Sequence, residues 1–387
     1  MKNFMQYRLD EIFDLQMGKT PARNNSAYWN EGTHKWISIG DLSGCGKYIS
    51  DTKESISDRA VQESGISEIP ANTVVMSFKL SIGKTAITSE PIYSNEAIMS
   101  FRDKHVTEIF PDYIYYLFTA KDWESGTNKA VMGKTLNKAT LSTIKIDVPS
   151  IARQKEVAAI LDKVSLIIDV RKNELQQLDT LIKARFVEMF GDLNTNPRGW
   201  DTQTFQQSTE FITDGEHSTP KRTDQGIYLL SARNVLNHSL QLEDVDYIDD
   251  EEYERIAKRV VPQEGDVLIS CSGTVGRCCS IPKGLKCQMV RSVALLRFKP
   301  NIIPKFAEYM ITSDYVQDQI NSQKTASSQA NLFQGKIAKL KGIVPPVALQ
   351  EDFLKFVNQV DQSKAAVQKS LDQTQLLMDS LMQQYFG

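Results

Sequence analysis

Two stretches of the chain carry apolar residues at steps of three and four positions. These residues are Leu161, Val164, Ile168, Leu175, Leu178, Ile182 and Met189 in the first stretch, and Val357, Val360, Val367, Leu371, Met378, Leu381 and Tyr385 in the second. Such spacing places one apolar stripe along a helix, and over about five heptads it is typical of a coiled-coil seam. Arg171, Arg185, Lys364 and Thr374 interrupt the stripe, which leaves room for other helices. The pattern predicts two long helices that pair with each other.

The two stretches repeat one another. Residues 148–191 align with residues 344–387 at a constant offset of 196 positions and without a gap. Both begin with Val-Pro, share an alanine and a glutamine (Gln154 and Gln350), and end with Phe-Gly. Because proline is tolerated in the first turn of a helix and glycine readily forms its left-handed cap, these dipeptides mark where each helix begins and ends. About 40 residues at about 1.5 Å each predict a rod of roughly 60 Å.

The segments that precede the two helices correspond more loosely. Residues 69–84 resemble residues 261–277 with one insertion, and residues 36–42 resemble residues 229–235. The chain therefore looks like two diverged copies of one unit. We predict a globular domain over residues 1–147, a long helix over 148–192, a second globular domain over 193–343 and a second long helix over 344–387.

Within each globular domain, short β-rich runs alternate with helical patterns. Residues 73–78 and 266–270 predict strands, whereas residues 111–119 and 304–320 predict helices, and turn-forming residues separate these elements. No regular alternation of strand and helix is sustained along the sequence. The predicted fold class is therefore α+β, with two similar mixed α/β domains joined by two long antiparallel helices that form a coiled coil.

Composition narrows the class of protein. A chain of 387 residues with 41% hydrophobic and 9% aromatic residues can fill the cores of two or three domains, and it is not predominantly disordered. No apolar run approaches the roughly 18 residues of a membrane span, and the N-terminal residues lack the apolar core of a signal peptide. We expect a cytoplasmic protein with no membrane partner.

The five cysteines are odd in number, which argues against a disulfide framework. A metal site built from Cys271, Cys278, Cys279 and Cys287 stays open as an alternative. Their spacing lacks the paired C-x2-C hooks of structural zinc sites, so we expect ordinary thiols and no metal.

Charge is distributed unevenly along the second half. Eight of the twelve residues from 243 to 254 are acidic, whereas residues 255–341 hold fourteen Lys or Arg against five Asp or Glu. Residues 1–150 are balanced, with seventeen basic and eighteen acidic side chains. The second domain is thus expected to present a basic sector beside an acidic one, as nucleic-acid binders do. A solvated charged face is the alternative explanation.

Sequence motifs for catalysis are missing. We find no G-x-x-x-x-G-K-[ST] loop, no G-x-G-x-x-G, no H-E-x-x-H, no G-x-S-x-G and no Asn-Pro-Pro-aromatic site for adenine methylation. The Gly-containing segment at residues 272–276 is interpreted as a turn, and the four histidines lack metal-ligand spacing. The chain is predicted not to be an enzyme by itself.

The order globular domain, long helix, globular domain, long helix carries a resemblance to a known family. Residues 213–220 (Thr-Asp-Gly-Glu-His-Ser-Thr-Pro) open the second domain, and Val-Pro-x-x-Ala-x-Gln opens each helix. In these features the whole chain resembles the specificity (S) subunit of type I restriction-modification systems. The first domain departs from the pattern, because residues 17–21 (Met-Gly-Lys-Thr-Pro) lack the Asp-Gly-x-His element.

The resemblance implies a role in recognising double-stranded DNA. Each globular domain would be a target recognition domain similar to that of adenine-N6 DNA methyltransferases, and the antiparallel helices would act as a spacer that docks the modification (M) subunits. The family implies a complex with two M subunits and two restriction (R) subunits. S-adenosylmethionine, ATP and Mg²⁺ would belong to those partners, and this chain would hold no cofactor.

Such an arrangement has a physical consequence for the DNA target. Two similar domains on antiparallel rods are related by a pseudo-twofold axis, so they can meet two separated half-sites in inverted orientation. Because the domains have diverged, the half-sites need not match. The target is then asymmetric and bipartite, and the rod length fixes its spacer.

Candidate DNA contacts lie in polar loops of both copies. They are Lys19, Thr20, Arg23, Lys79, Ser81, Lys84, Lys134 and Asn137 in the first domain, and His217, Ser218, Thr219, Lys221, Arg222, Ser272, Thr274, Arg277, Gln329 and Asn331 in the second. The candidates for helix pairing and M-subunit docking are Leu161, Val164, Ile168, Leu175, Leu178, Ile182, Val357, Val360, Val367, Leu371, Met378 and Leu381.

Each candidate has a purely structural alternative. His217 could stabilise its own loop, Lys84 and Arg277 could form surface ion pairs, and Asn137 and Asn331 could cap helices. For the whole protein, the alternative is a coiled-coil scaffold whose globular domains bind proteins rather than DNA. A nuclease or methyltransferase that acts alone is disfavoured by the missing motifs.

Overall fold

The computed structural model describes residues 5–30, 32–79, 81–123, 136–322 and 331–387. Contacts between residues divide the chain into two compact units, Met1–Lys172 with Lys369–Gly387, and Asn173–Gln368. Each unit thus contains one globular part and one half of each long helix. The division of the sequence into four segments stays a prediction.

The first unit combines short strands with short helices and with the beginning of the first long helix. Its strands are β1 (Met5–Arg8), β2 (Phe13–Met17), β3 (His34–Ile37), β4 (Tyr48–Ile49), β5 (Glu54–Ile56), β6 (Val74–Ser77), β7 (Thr85–Thr88), β8 (Tyr93–Ser94), β9 (Ile98–Asp103) and β10 (Lys145–Val148). Its helices are α1 (Leu9–Ile12), α2 (Ile39–Gly44), α3 (Asp58–Ser64), α4 (Pro111–Ala120) and α5 (Lys138–Thr143), followed by α6 (Ile151–Phe190), which continues into the second unit.

The second unit repeats this composition. Its strands are β11 (Thr202–Thr204), β12 (Thr209–Asp214), β13 (Ile227–Leu230), β14 (Val235–Leu236), β15 (Ser239–Leu240), β16 (Asp246–Ile248), β17 (Val267–Ser270), β18 (Cys278–Ser280), β19 (Cys287–Met289), β20 (Val293–Phe298) and β21 (Lys341–Ile343). Its helices are α7 (Phe205–Ser208), α8 (Asp250–Ala257), α9 (Pro304–Ile311), α10 (Asp314–Ser322) and α11 (Gln334–Ile337), followed by α12 (Val347–Phe386), which continues into the first unit.

The two units share one sheet topology, except that β4 adds a fifth strand to the main sheet of the first unit and β14-β15 form a separate sheet in the second. The main sheets have the orders β2-β9-β6-β7-β4 and β12-β20-β17-β18, and the smaller sheets have the orders β5-β3-β8 and β16-β13-β19. In both smaller sheets the central strand pairs antiparallel on one side and parallel on the other. Each unit also has a two-stranded sheet, β1-β10 in the first and β11-β21 in the second. In each of these sheets the first strand of the unit pairs with the last strand before a long helix. The predicted α+β fold class and internal repeat are confirmed.

The turns that follow β6 and β17, called the central turns, are held by equivalent hydrogen bonds in the two units. Ser77 N donates to the carbonyl of Lys84 and Ser270 N donates to the carbonyl of Arg277, both at 2.9 Å. In return, the Lys84 and Arg277 amides donate to the hydroxyls of those serines at 3.1 and 3.0 Å. The aligned serines therefore hold the same tight turn in both copies.

The predicted short elements are largely present. Residues 73–78 contain β6, residues 266–270 contain β17, and α4 covers residues 111–119. The prediction of one helix over residues 304–320 is wrong, because the chain breaks between α9 and α10. At the break, the Thr312 and Ser313 hydroxyls donate to the carbonyls of Glu308 and Met310 at 2.9 and 2.6 Å. Such hydroxyls compete with helix hydrogen bonds and end the first segment.

The long helices begin and end where the repeat predicts. Helix α6 begins two residues after Pro149, helix α12 begins directly after Pro346, and Gly191 ends α6 with a positive φ of 82°. In the second unit, Asp179 bonds Lys364 at 2.6 Å and the Phe186 ring lies 5.5 Å from the Phe353 ring. As the residue number on α6 rises from 179 to 186, that of the contacting residue on α12 falls from 364 to 353. The two helices therefore run antiparallel there.

The first unit contains the opposite ends of the same helices. The Arg153 guanidinium near the start of α6 lies 5.3 Å from the Tyr385 ring near the end of α12. Leu161 belongs to the core of this unit, and Met378 and Leu381 pack against that core. None of the helices in the described part of the chain is long and apolar enough to cross a membrane.

Candidate nucleic-acid interface

A loop follows β12 in the second unit and carries the Asp-Gly-x-His element. Gly215 N donates to the carbonyl of Val293 at 3.0 Å, and a Cβ on this residue would lie 2.4 Å from the Met289 oxygen. Gly18 follows β2 in the same way, with its N–H on the Ile98 carbonyl at 3.1 Å. Only glycine fits this approach of two backbones. The two loops therefore leave equivalent strands at the same place, although their side chains differ.

Charged side chains of the loop bind one another. His217 Nε2 lies 2.9 Å from Asp214 Oδ2, and Arg259 binds the other oxygen of the same carboxylate. The loop-stabilising alternative for His217 is therefore present, while 56% of its side chain stays exposed to an incoming ligand.

The neighbouring acidic residue holds the rest of the loop. Glu216 accepts the Ser218 N–H at 3.0 Å and also the Ser218 hydroxyl. That hydroxyl lowers the pKa of Glu216, and the Arg255 guanidinium at 3.5 Å lowers it further. Ser218 is thus engaged inside the loop, whereas Thr219 is exposed.

The acidic segment at residues 243–254 lies beside basic residues of the second unit. Arg222 Nε donates to Asp246 at 2.8 Å. Lys221 N donates to Glu252 at 3.0 Å, and Arg255 Nε donates to the same carboxylate at 2.8 Å. These contacts place the acidic segment beside basic residues, and within the basic stretch Arg255 forms an ion pair with that segment.

Other basic residues between positions 255 and 341 also form ion pairs. Arg297 binds Asp266 at 2.7 Å, and Lys305 binds the buried Glu308 at 2.8 Å. Arg291 is exposed and forms no ion pair with the residues that the structure describes. It therefore stands out as a cation available to a ligand, and sequence reasoning did not single it out.

A cleft of about 670 Å³ opens beside the Asp-Gly-x-His loop. Of the predicted residues it brings together His217, Ser272 and Asn331. Lys221, Arg222, Thr274 and Arg277 are not among its lining residues, which are Asp214, His217, Cys271, Ser272, Gly273, Arg291, Ser292, Asn331, Leu332, Phe333 and Gln334. The walls present hydrogen-bonding groups of both kinds, as a surface that reads base edges must.

The central turns present further polar side chains. Ser81 and Lys84 follow β6 and are exposed, and Thr274 and the half-buried Arg277 occupy the corresponding turn after β17. Neither Lys84 nor Arg277 forms an ion pair with a residue in the described ranges, so the surface-ion-pair alternative gains no support there.

The first unit engages several of its candidates internally. Arg23 binds Glu54 at 3.0 Å and lies 3.9 Å from the centre of the Trp29 ring. The Thr20 hydroxyl donates to Glu96, and this hydrogen bond lowers the pKa of that carboxyl, with smaller contributions from Lys79 and Arg23. Thr20, Lys79 and Arg23 thus surround one carboxylate, whereas the Lys19 side chain is exposed.

The two asparagines do not occupy equivalent positions. Leu136 N donates to the carbonyl of Phe78 and Leu332 N donates to that of Cys271, so these leucines match. Asn137 therefore corresponds to Phe333, and its side chain caps α5 through the Thr140 N–H at 2.8 Å. Asn331 instead lines the cleft. The predicted residues Lys134 and Gln329 lie outside the described residues.

The cysteine cluster considered as a metal site does not form one among the described residues. Burial raises the pKa of Cys271, Cys279 and Cys287 to about 12, and it raises that of Cys278 as well. Burial thus favours the neutral thiol of all four cysteines. They serve as small apolar side chains of the sheets.

The seam residues of the long helices are buried or half-buried. Leu161, Val164, Ile168, Ile182, Val357, Val360 and Val367 are buried, and Leu175, Leu178, Leu371, Met378 and Leu381 are half-buried. Other apolar residues of the same helices are exposed, namely Leu166, Ile167, Val170, Leu181, Val187, Leu376 and Leu377. The sequence pattern did not distinguish these exposed residues from the seam residues.

Comparison with known proteins is consistent with these features. The family model described as type I restriction modification DNA specificity domain matches residues 1–180 and 216–374. The chain belongs to this family. The matches cover most of both units, including the Gly18 loop, the residues that follow Gly215 and most of the two long helices.

Curated members of the specificity-domain family are distant in sequence. The type I restriction enzyme MjaIX specificity subunit of Methanocaldococcus jannaschii is 26% identical over 189 residues, which is 48% of this chain and 43% of that protein. The EcoKI specificity subunit of Escherichia coli K12 is 22% identical over 71% of this chain and 64% of that protein. The chain thus spans less than half the length of the first of these relatives.

Solved structures extend the similarity of fold over nearly the full length. The S subunit of a type I restriction-modification system from M. genitalium matches 98% of this chain and 95% of that chain with a TM-score of 0.54 and 13% identity. A chain from a structure described as "Structural basis underlying complex assembly and conformational transition of the type I R-M system" covers 99% and 97%, with a TM-score of 0.62 and 14% identity. At these identities the likeness concerns the fold alone.

Proposed function

We propose that this chain is the DNA-recognition subunit of a type I restriction-modification complex. Each globular part reads one half of an asymmetric bipartite target on double-stranded DNA. The paired long helices set the spacer and dock the methyltransferase subunits. The chain performs no catalysis by itself, and it works in the cytoplasm, where the DNA is.

The observation that carries this proposal is a duplicated fold with unlike side chains at matched positions. The Gly18 and Gly215 loops leave equivalent strands, yet Lys19 follows the first glycine and Glu216 the second. Asn137 and Phe333 differ in the same way. The two surfaces thus share one fold but carry different side chains. Because side chains read base edges, such a pair of surfaces suits a target whose two halves differ in base sequence.

The partners follow from the family and from the exposed apolar residues. We place two M subunits and two R subunits in the complex, with S-adenosylmethionine, ATP and Mg²⁺ bound by those subunits. Leu166, Ile167 and Val170 on α6, and Leu376 and Leu377 on α12, are exposed in the first unit. They support M-subunit docking, because they add exposed apolar surface to the long helices outside the seam.

The test is to co-express the chain with its M subunit in a host without adenine methylation and to map methylated adenines. The expected result is one bipartite motif. Arg291→Ala should alter recognition of one half-site and Lys84→Ala that of the other. Four residues inserted between Leu175 and Ile182 should lengthen the spacer alone. A complex that binds DNA without any sequence preference, or fails to bind it, would instead favour a protein-binding scaffold.

A further inference from the structure

One aromatic side chain on the cleft of the second unit is exposed without an evident structural need. Phe333 is the only phenylalanine within the described ranges whose side chain is exposed, at 61%. Large apolar side chains are normally placed in a core. The adjacent Leu332 follows that rule, with 2% exposure. The ring of Phe333 is therefore presented to solvent at a position where the chain could have turned it inward.

The backbone that carries Phe333 is fixed on both sides. Leu332 N donates to the Cys271 carbonyl at 2.9 Å, and the Phe333 carbonyl accepts the Lys336 and Ile337 amides at 2.8 and 3.1 Å. Leu332 and Ile337 are both buried in the core of the unit. The ring therefore projects from a backbone segment that is hydrogen-bonded on both sides and flanked by core residues.

The surroundings of the ring are polar. His217, Ser272, Arg291 and Asn331 line the same cleft, and the Gln334 side chain is tied to the Ile212 carbonyl. These groups can match donors and acceptors on base edges. The ring cannot do so, and in the major groove the apolar group that it can contact is the C5 methyl of thymine.

The equivalent position of the first unit has different chemistry. Asn137 stands there, and its side-chain oxygen accepts hydrogen bonds from Thr140 N and Thr140 Oγ1 at 2.8 and 3.1 Å. A capping asparagine at this position stabilises the helix that follows. Phe333 makes no such bond at the start of α11. The second unit therefore lacks a stabilising cap at the point where it exposes a ring.

We propose that Phe333 is a specificity-determining residue that contacts the methyl group of one thymine in the half-site read by the second unit. This inference rests on the proposed function, since it assumes that the cleft meets DNA. It adds that one position of this half-site is a T·A pair, recognised through its methyl group and not only through hydrogen bonds.

The experiment uses the chain assembled with its M subunits and the bipartite target from methylome mapping. Each thymine of the second half-site is replaced in turn by deoxyuridine, which removes only the methyl group. Competition binding at fixed salt should show one replacement that weakens binding about fourfold, the equivalent of one buried methyl group. The other replacements should have little effect.

Variants identify the residue responsible. With Phe333→Ala, the sensitive thymine and its deoxyuridine replacement should bind equally, whereas Phe333→Leu should retain the difference. Exposed Lys339→Ala, on the same segment, serves as the control and should behave as the unsubstituted chain. If Phe333→Ala fails to assemble, Phe333→Asn, which introduces the residue found at the matched position of the first unit, replaces it and should likewise abolish the difference.

Several outcomes would overturn the inference while leaving the proposed function intact. A second half-site without a T·A pair, or indifference to every deoxyuridine replacement, would exclude the methyl contact. So would persistence of the sensitivity in Phe333→Ala. A 2-aminopurine fluorescence increase that depends on Phe333 would show insertion between base pairs instead. Loss of all sequence preference in the unsubstituted complex would refute the proposed function itself.

Discussion

Replacing Gln350 by leucine should destabilise the second unit without changing the volume of its core. The Gln350 side chain is fully buried. Its Oε1 accepts the Ile303 amide at 2.8 Å, and its Nε2 donates to the carbonyls of Asn301 and Pro345 at 2.9 and 2.8 Å. Leucine fills similar space but offers no partner, so three buried backbone groups would lose their hydrogen bonds.

The size of the effect follows from those three groups. A buried donor or acceptor left unsatisfied costs about 1–3 kcal/mol, and a carbonyl with a second lone pair costs less than an amide. We therefore expect the free energy of unfolding to fall by about 3–6 kcal/mol. Gln154→Leu should do the same in the first unit, since Gln154 bonds Phe110 N, Glu108 O and Pro149 O at 2.8–2.9 Å.

Hydrogen exchange read by mass spectrometry during urea titration assays each unit separately. Gln350→Leu should lower the midpoint of residues 173–368 and spare the first unit, with Gln154→Leu giving the converse pattern. Gln359→Leu, at an exposed position of the same helix, is the matched control. Equal midpoints for Gln350→Leu and Gln359→Leu, or an equal loss in both units, would refute the reasoning.

Three further predictions concern packing, binding and pH. Leu161→Ala removes a fully buried side chain and should lower the free energy of unfolding, measured by thermal or urea unfolding, by about 2–5 kcal/mol. Leu166→Ala changes a residue that is 63% exposed, so it should leave stability unchanged and reduce co-purification with the M subunit. Arg277→Ala should weaken DNA binding and reduce the slope of log affinity against log salt by about one unit, and an unchanged slope and affinity would remove this residue from the interface. The hydrogen bond from Arg255 lowers the pKa of Glu252 from 4.5 to about 2. The stabilisation of the folded state by this ion pair is therefore fully present above pH 4.5 and is lost as the pH falls towards 2. Acid unfolding of Glu252→Gln should lack this contribution, and an acid transition identical to that of the unsubstituted chain would contradict the prediction.

The sequence predicted the features that depend on local pattern. The long helices were found because a period of three and four persists between Val-Pro and Phe-Gly. The internal repeat was found because Gln154 and Gln350 occupy matched positions, although nothing in the pattern indicated that both are buried. Strands and helices of the globular parts were located where apolar runs were clear, and the break at Thr312 was missed because its hydroxyl bonds locally.

The candidate site was less accessible to sequence reasoning because it is assembled from distant segments. Asp214, Ser272, Arg291 and Asn331 line one cleft, yet they lie on separate loops. Ion pairing could not be read from composition either, so the contacts of the acidic segment with Arg222 and Arg255 were not anticipated. Phe333 was overlooked because an isolated phenylalanine is normally assigned to a core.

The joint between each globular part and its long helix depends on one amide side chain and on main-chain atoms. The side chains of Gln154 and Gln350 form their hydrogen bonds with backbone N–H and C=O groups of the segments that they hold. Every amino-acid sequence except proline at the donor offers those atoms. Mutations can therefore accumulate on the surface proposed to face DNA without breaking these hydrogen bonds, and a different globular domain with the same backbone path could be joined to an existing long helix. The attachment depends little on the side chains of the globular part, so the sequence of that part is free to change.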